Sequence, residues 1–271
     1  MAIQILNILE EETRTKTIVT IVNLKTEGTF LNVLKGCFVK SFEYAVVCHG
    51  DLMENRFFFL AHVLRAICED FIVLRYLQVK KTEKERDELL FNKAKQLIFE
   101  SVDKQKKFFA KHRPFQPIFY ASPKAPSPKI KLPHTQKMAN EVELDDLYDF
   151  LFAVTSDIVH FNPRIIIRNA WGENEQELKP STKSFDLYYR DFCRTYSLYL
   201  FCKFSQTFKL ELNLSERYLS SILELEQDLN EQLRWPEAVT YEEMNKDGPK
   251  EIMRILIKSN YESQNSENSD I

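Results

Sequence analysis

The stretch 141–172, EVELDDLYDFLFAVTSDIVHFNPRIIIRNAWG, decides how the chain is read. Within it Leu147, Phe150, Leu151, Val154, Ile158 and Phe161 recur at three- and four-residue steps, which predicts one buried helical face. At about 100° per residue, Asp149, Ala153, Ser156 and His160 fall together on nearly the opposite face, flanked by Phe152 and Val159. Both sides therefore read as buried, and the polar strip needs partners. An unpartnered buried polar group costs about 1–3 kcal/mol. The helix is expected to stop at His160-Phe161-Asn162-Pro163, because the residue before a proline is biased out of the helical region. That sets the imidazole at a helix C-terminus, beside Arg164 and Arg168.

Working back toward the N-terminus, a second helix is predicted over 55–78, apolar on nearly every side. It carries one polar strip: His62, Arg65, Glu69 and Tyr76. Arg65 and Glu69 stand one helical turn apart, but on so apolar a helix isolated charge is costly, so the pair is expected to meet something else. The structural reading is an ion pair that sets helix register. The functional reading turns this strip toward Ser156 and His160 across a helix interface. Earlier still, Phe30, Leu34, Phe38, Phe42 and Ala45 keep helical spacing from Thr29 to His49, with Gly50 as the stop. Residues 1–28 are ambiguous; β-branched 17–24 suits a strand or a buried helical turn, and the helical surroundings favour helix.

A third helix, 83–111, is amphipathic through Leu90, Ala94, Leu97, Ile98 and Val102. The charge balance then shifts abruptly. Residues 104–137 hold nine Lys/Arg, no Asp/Glu and six prolines, with Phe108, Phe109, Phe115, Phe119 and Tyr120 interleaved. The prolines favour an extended loop, and its length exceeds that of an ordinary connection. Lysines attract phosphate and aromatic faces stack on unpaired bases, so Lys104, Lys106, Lys107, Lys111 and Arg113, with Arg164 and Arg168, are candidate nucleic-acid contacts. The plain alternatives are a linker, or docking on the acidic stretch 211–247, which holds ten Asp/Glu against three Lys/Arg.

Downstream, the aromatic run from Phe185 to Phe208 is near-heptad and reads as a packing seam. Ser215 is a candidate N-cap, and Trp235-Pro236 ends the helix it starts. Residues 259–271 are polar and expected to be disordered.

Composition removes several classes. A chain of 271 residues with 44% hydrophobic and 28% charged residues has ample core. Five glycines, no GxGxxG and no GxxxxGK[ST] disfavour nucleotide-binding loops. The five cysteines are scattered without a CxxC pair, which fits small core residues in a reducing cytoplasm, not a zinc site. His49, His62, His112 and His134 share no ligand spacing, so no metal or cofactor is expected. The N-terminus lacks a signal-peptide pattern, and charged residues interrupt the most apolar region, so no membrane span is expected.

The segment Leu64-Arg65-Ala66-Ile67-Cys68-Glu69-Asp70, followed by Tyr148 and Ser156-Asp157-Ile158-Val159-His160, resembles an uncharacterised bacterial helical family with an R-x-x-x-E helix and a later S-x-x-x-H helix end. That family in turn looks like the HEPN superfamily of helical domains acting on nucleic acid in toxin–antitoxin and antiphage systems. The resemblance covers about residues 30–210. It implies RNA binding, metal-independent ribonuclease chemistry and a site formed across a homodimer. His160 would assist attack by the 2′-hydroxyl and an arginine would stabilise phosphate charge. In HEPN nucleases an arginine precedes the histidine on its own helix. Here none does, so Arg65, Arg164 or Arg168 would supply the guanidinium in space. The candidate catalytic set is His160, Arg65, Glu69 and Ser156.

The expected fold is an all-α, HEPN-like bundle of about six to eight helices. One domain is expected over 1–258, with a basic Pro-rich insertion loop at 104–137. The leading function is RNA binding with ribonuclease activity in defence. The alternative is a non-enzymatic protein-interaction or regulatory module whose polar strips only organise the core.

Overall fold

The computed structural model describes residues 1–19, 26–50, 56–116, 131–163, 166 and 186–237. The chain divides into two compact units, Met1–Glu231 and Gln232–Ile271. In the second, Arg234 pairs with Glu237 at 2.7 Å; the expected tail 259–271 lies outside the described residues.

Among the described residues the regular structure is eight α-helices and one π-helical turn, with no strand. They are α1 (Ala2–Thr17), α2 (Thr29–His49), α3 (Phe57–Lys80), α4 (Glu83–His112), α5 (Thr135–Glu141), the π turn (Leu147–Phe152), α6 (Ala153–Val159), α7 (Asp186–Thr207) and α8 (Glu216–Asn230). The all-helical bundle expected from periodicity is the observed fold.

Its centre is α7 rather than the 141–172 stretch. α7 packs chiefly on α3, α2 and α8. Phe192, Cys193, Leu200, Phe201, Cys202, Phe204 and Ser205 are all buried. Phe201 meets Phe38 and Phe42 of α2 at ring separations of 5.6 and 5.5 Å. Phe204 meets Phe71 of α3 edge-on at 5.1 Å. Tilted and edge-to-face rings of this kind add to simple area burial. Arg194 of α7 donates to the Cys48 carbonyl at 3.0 Å, satisfying an end group of α2.

The shorter helices close around this centre. α1, in the ambiguous N-terminal stretch, is a full helix whose Ile5, Leu6, Leu9, Thr13 and Thr17 are buried. It packs on α2 and α8. Ser215 caps α8 as expected, accepting from the Tyr218 N–H at 3.1 Å. Ser215 also bonds through its N–H and hydroxyl to Glu12 at 2.7 and 2.6 Å.

α4 is attached differently. Its buried residues are Asp87 and Gln96, both polar. A Thr82/Glu85 capping box starts the helix. Two residues on, the buried Asp87 carboxylate accepts the Gly28 and Phe30 N–H groups, each at 2.7 Å. It thus caps the N-terminus of α2, which lacks a capping side chain of its own. Gly28 has φ 79°, and a Cβ there would meet nothing within 4 Å. Glycine is required for the backbone conformation, not for room.

The helix expected over 83–111 overlaps the start of the basic stretch 104–137, which charge and prolines assign to a loop. The structure continues α4 to His112, so Lys104, Lys106, Lys107 and Lys111 ride on helix, and 135–137 open α5. The first proline of the stretch, Pro114, follows the helix end directly. Residues 117–130 lie outside the described residues.

Candidate functional site

The two polar strips meet at one pair, Arg65 and Ser156, whereas Asp149, Ala153 and His160, expected on a buried face, are exposed. α3 runs beside the π turn and α6, and Arg65 donates from Nε to the Ser156 hydroxyl at 2.9 Å. That hydroxyl in turn donates to the Phe152 carbonyl one turn back, at 2.7 Å. The Arg65 guanidinium carbon lies 4.7 Å from the centre of the Phe152 ring, and Phe152 stacks on Tyr148 at 4.9 Å. One cation is therefore held by a hydroxyl and by an aromatic face.

Glu69 turns elsewhere, accepting from Thr135 of α5 at 3.2 Å. Arg65 and Glu69 each reach to a different element, as an apolar helix with two charges requires. Next to Glu69, Asp70 pairs with Lys40 of α2 at 2.6 Å. Burial, with Asp70 adding to it, pushes the nearby Cys37 thiol up to about 12. Burial does the same to Cys68, also to about 12. Both thiols stay protonated at neutral pH and are poor nucleophiles.

The buried face agrees only in part with the expected one, and a π turn lies within it. The buried residues are Leu147, Leu151, Phe152, Thr155 and Ile158, whereas Phe150 and Phe161 are exposed. A π turn bonds i to i+5 and so carries an extra residue, which rotates the following side chains relative to a regular helix. Phe152 lies under Arg65, and Phe150, though 39% exposed, keeps ring contacts with Phe192 and Tyr196 of α7.

His160 stands at the end of α6, where its N–H bonds to the Ser156 carbonyl at 2.9 Å. Its side chain is exposed. Among the described residues no hydrogen bond or ion pair joins its imidazole to Arg65 or Glu69. Of the four candidate catalytic residues the structure joins Arg65 and Ser156 directly. Glu69 and His160 stand at either side of that pair with other bonds. Arg164 and Arg168 lie outside the described residues.

The candidate nucleic-acid residues sort by helix face. At about 100° per residue, Lys104, Phe108 and Lys111 share one face of α4, with Lys107 and His112 at its edges. Lys106 falls on the opposite side and is half-buried. Lys107 pairs with Asp103 at 2.8 Å. Phe108 is 57% exposed and Phe115, in the turn after Arg113, is 97% exposed. The His112 ring sits 4.7 Å from that of Phe108, tilted by 41°. Ligand spacing gave His112 no role; its i+4 relation to Phe108 is the signal that places it here.

A cleft of about 430 Å³ opens elsewhere, between α1 and α8, lined by Glu12, Thr15, Lys16, Ser215 and Tyr218 among others. It shares no residue with either candidate site. Among the described residues no group of three or more His, Cys, Asp or Glu could hold a metal ion. Among them, too, no helix is long and apolar enough to cross a membrane.

Residues 51–178 match a family of unknown function (DUF5677). The matched segment runs from the start of α3 past α6 and contains both Arg65 and Ser156. The expected likeness to an uncharacterised domain family is thus found for this segment. No curated protein and no solved structure matches the chain.

Proposed function

We propose that the chain binds RNA through the C-terminal end of α4, in a reducing cytoplasm. The observation that carries this reading is one exposed helix face bearing Lys104, Lys111 and an uncovered Phe108–His112 ring pair. Lysines there attract phosphate and release its counterions. The resemblance of the R-x-x-x-E and S-x-x-x-H motifs to HEPN-type domains, read from sequence alone, suggests the same substrate class, and five cysteines outside any disulfide fit the compartment.

Filter binding of a labelled RNA across a salt series tests it. Affinity is expected to fall as salt rises, and the double variant Lys104→Gln/Lys111→Gln should flatten the log–log slope by about 0.7 per lost phosphate contact on a single strand. Salt-independent binding, or none, returns the chain to the protein-interaction alternative.

A second reading, metal-independent cleavage, draws on the Arg65–Ser156 bond and on the exposed His160 one turn beyond. Imidazole is suited to exchanging the proton of a 2′-hydroxyl near neutral pH. RNA degradation in the presence of a chelator, compared between wild type and His160→Ala, tests it. Loss of cleavage in the variant supports this reading; equal degradation removes His160 from the chemistry.

A further inference from the structure

We infer that the α4 end is a reader of single-stranded RNA, selecting unpaired over paired bases through the Phe108–His112 rings and Phe115. The inference rests on the RNA-binding reading above and goes one step further, to the form of RNA.

Three observations carry it. The lysines and rings are not separate patches. Over two turns, Lys104, Phe108 and Lys111 lie within about 60° of one another around the helix axis. A strand whose phosphates meet the lysines therefore has its bases within reach of a ring. Next, the rings are uncovered. Phe108 is 57% exposed and Phe115 is 97% exposed, and an aromatic face left in water gains by stacking on another flat, polarizable ring. The His112 imidazole, 4.7 Å from Phe108 and tilted by 41°, lies against one face of that ring and leaves the other to a base. Finally, the end of α4 carries no carboxylate beyond Asp103, and Asp103 is already engaged by Lys107. Among the described residues, the cations near the rings in sequence include Lys104, Lys111 and Arg113, none of them in an ion pair, with Glu100 one turn back on the same face.

Duplex RNA offers phosphates to those cations, but its bases are stacked on one another and its major groove is too deep and narrow for side chains to read. The rings then have nothing to meet. An unpaired strand offers both a charged backbone and open base faces. An acidic protein segment supplies charge alone.

The test is fluorescence anisotropy at fixed salt with a labelled oligouridine, an RNA duplex of the same length, and poly-glutamate as competitor. Wild type is expected to bind the single strand at least about fivefold more tightly than the duplex. Phe108→Ala should bring single-strand affinity down to the duplex level, and Phe108→Trp should retain the preference. Poly-glutamate should displace RNA poorly. Phe108 is a surface residue, so circular dichroism is expected to show an unchanged fold. Equal binding of both RNAs, with Phe108→Ala silent, overturns single-strand selection while leaving RNA binding in place. Displacement by poly-glutamate as readily as by unlabelled oligouridine overturns it as well. Failure to bind either RNA overturns the reading beneath it.

Discussion

α7 and α4 are both long helices studded with phenylalanine and basic residues, yet the molecule uses them in opposite ways. α7 is covered by neighbours along its length, and its rings interlock with those of α2 and α3. α4 buries two polar residues and is fastened to α2 by a carboxylate. Stability is concentrated in the first helix. Side chains available to a partner are concentrated in the second. The same residue type, phenylalanine, is core at 201 and surface at 108, and what separates them is which other helices reach that face.

Substitutions at four positions would break or sharpen that contrast. Phe201→Ala should be the most damaging, by about 3–5 kcal/mol, because a fully buried ring touching α2 leaves a cavity in a packed centre. Urea unfolding followed by circular dichroism measures it. Asp87→Ala should come next, at about 2–3 kcal/mol, since two N–H groups of α2 lose a charged acceptor. Asp87→Asn should recover part of that loss in the same experiment. Ser156→Ala should cost about 1 kcal/mol, the scale of one hydrogen bond whose partner, the half-buried Arg65, can turn to water. Phe108→Ala should change stability by less than about 0.5 kcal/mol. A Phe108→Ala penalty as large as that of Phe201→Ala would erase the distinction between the two helices.

Much of the scaffold was legible because helical spacing is a local signal. α2 and the starts of α3 and α4 lie within about two residues of where apolar periodicity puts them. The Ser215 cap and the aromatic seam follow from the same kind of signal. The Arg65–Ser156 contact was legible too, since polar residues on an apolar helix must find partners, but the burial expected for Asp149 and His160 was not met, both being exposed. Three features were not. α1 carries acidic and threonine residues among its apolar ones, and β-branched residues follow it, so its spacing alone did not separate helix from strand. The π turn at Leu147–Phe152 leaves no compositional mark. Asp87 reads as one more charge on a charged helix. Its capping role depends on a contact across 57 positions of sequence, which no local pattern records.

The fastening of α4 has a mechanical consequence. From Asp87 to Lys111 the helix spans about 36 Å at 1.5 Å per residue, so the ring platform stands far along α4 from the carboxylate that holds the start of α2. A pull on that tip is shared among the Asp87 bonds, the Arg86 cation on the Phe30 ring and the packing of α4 on α3.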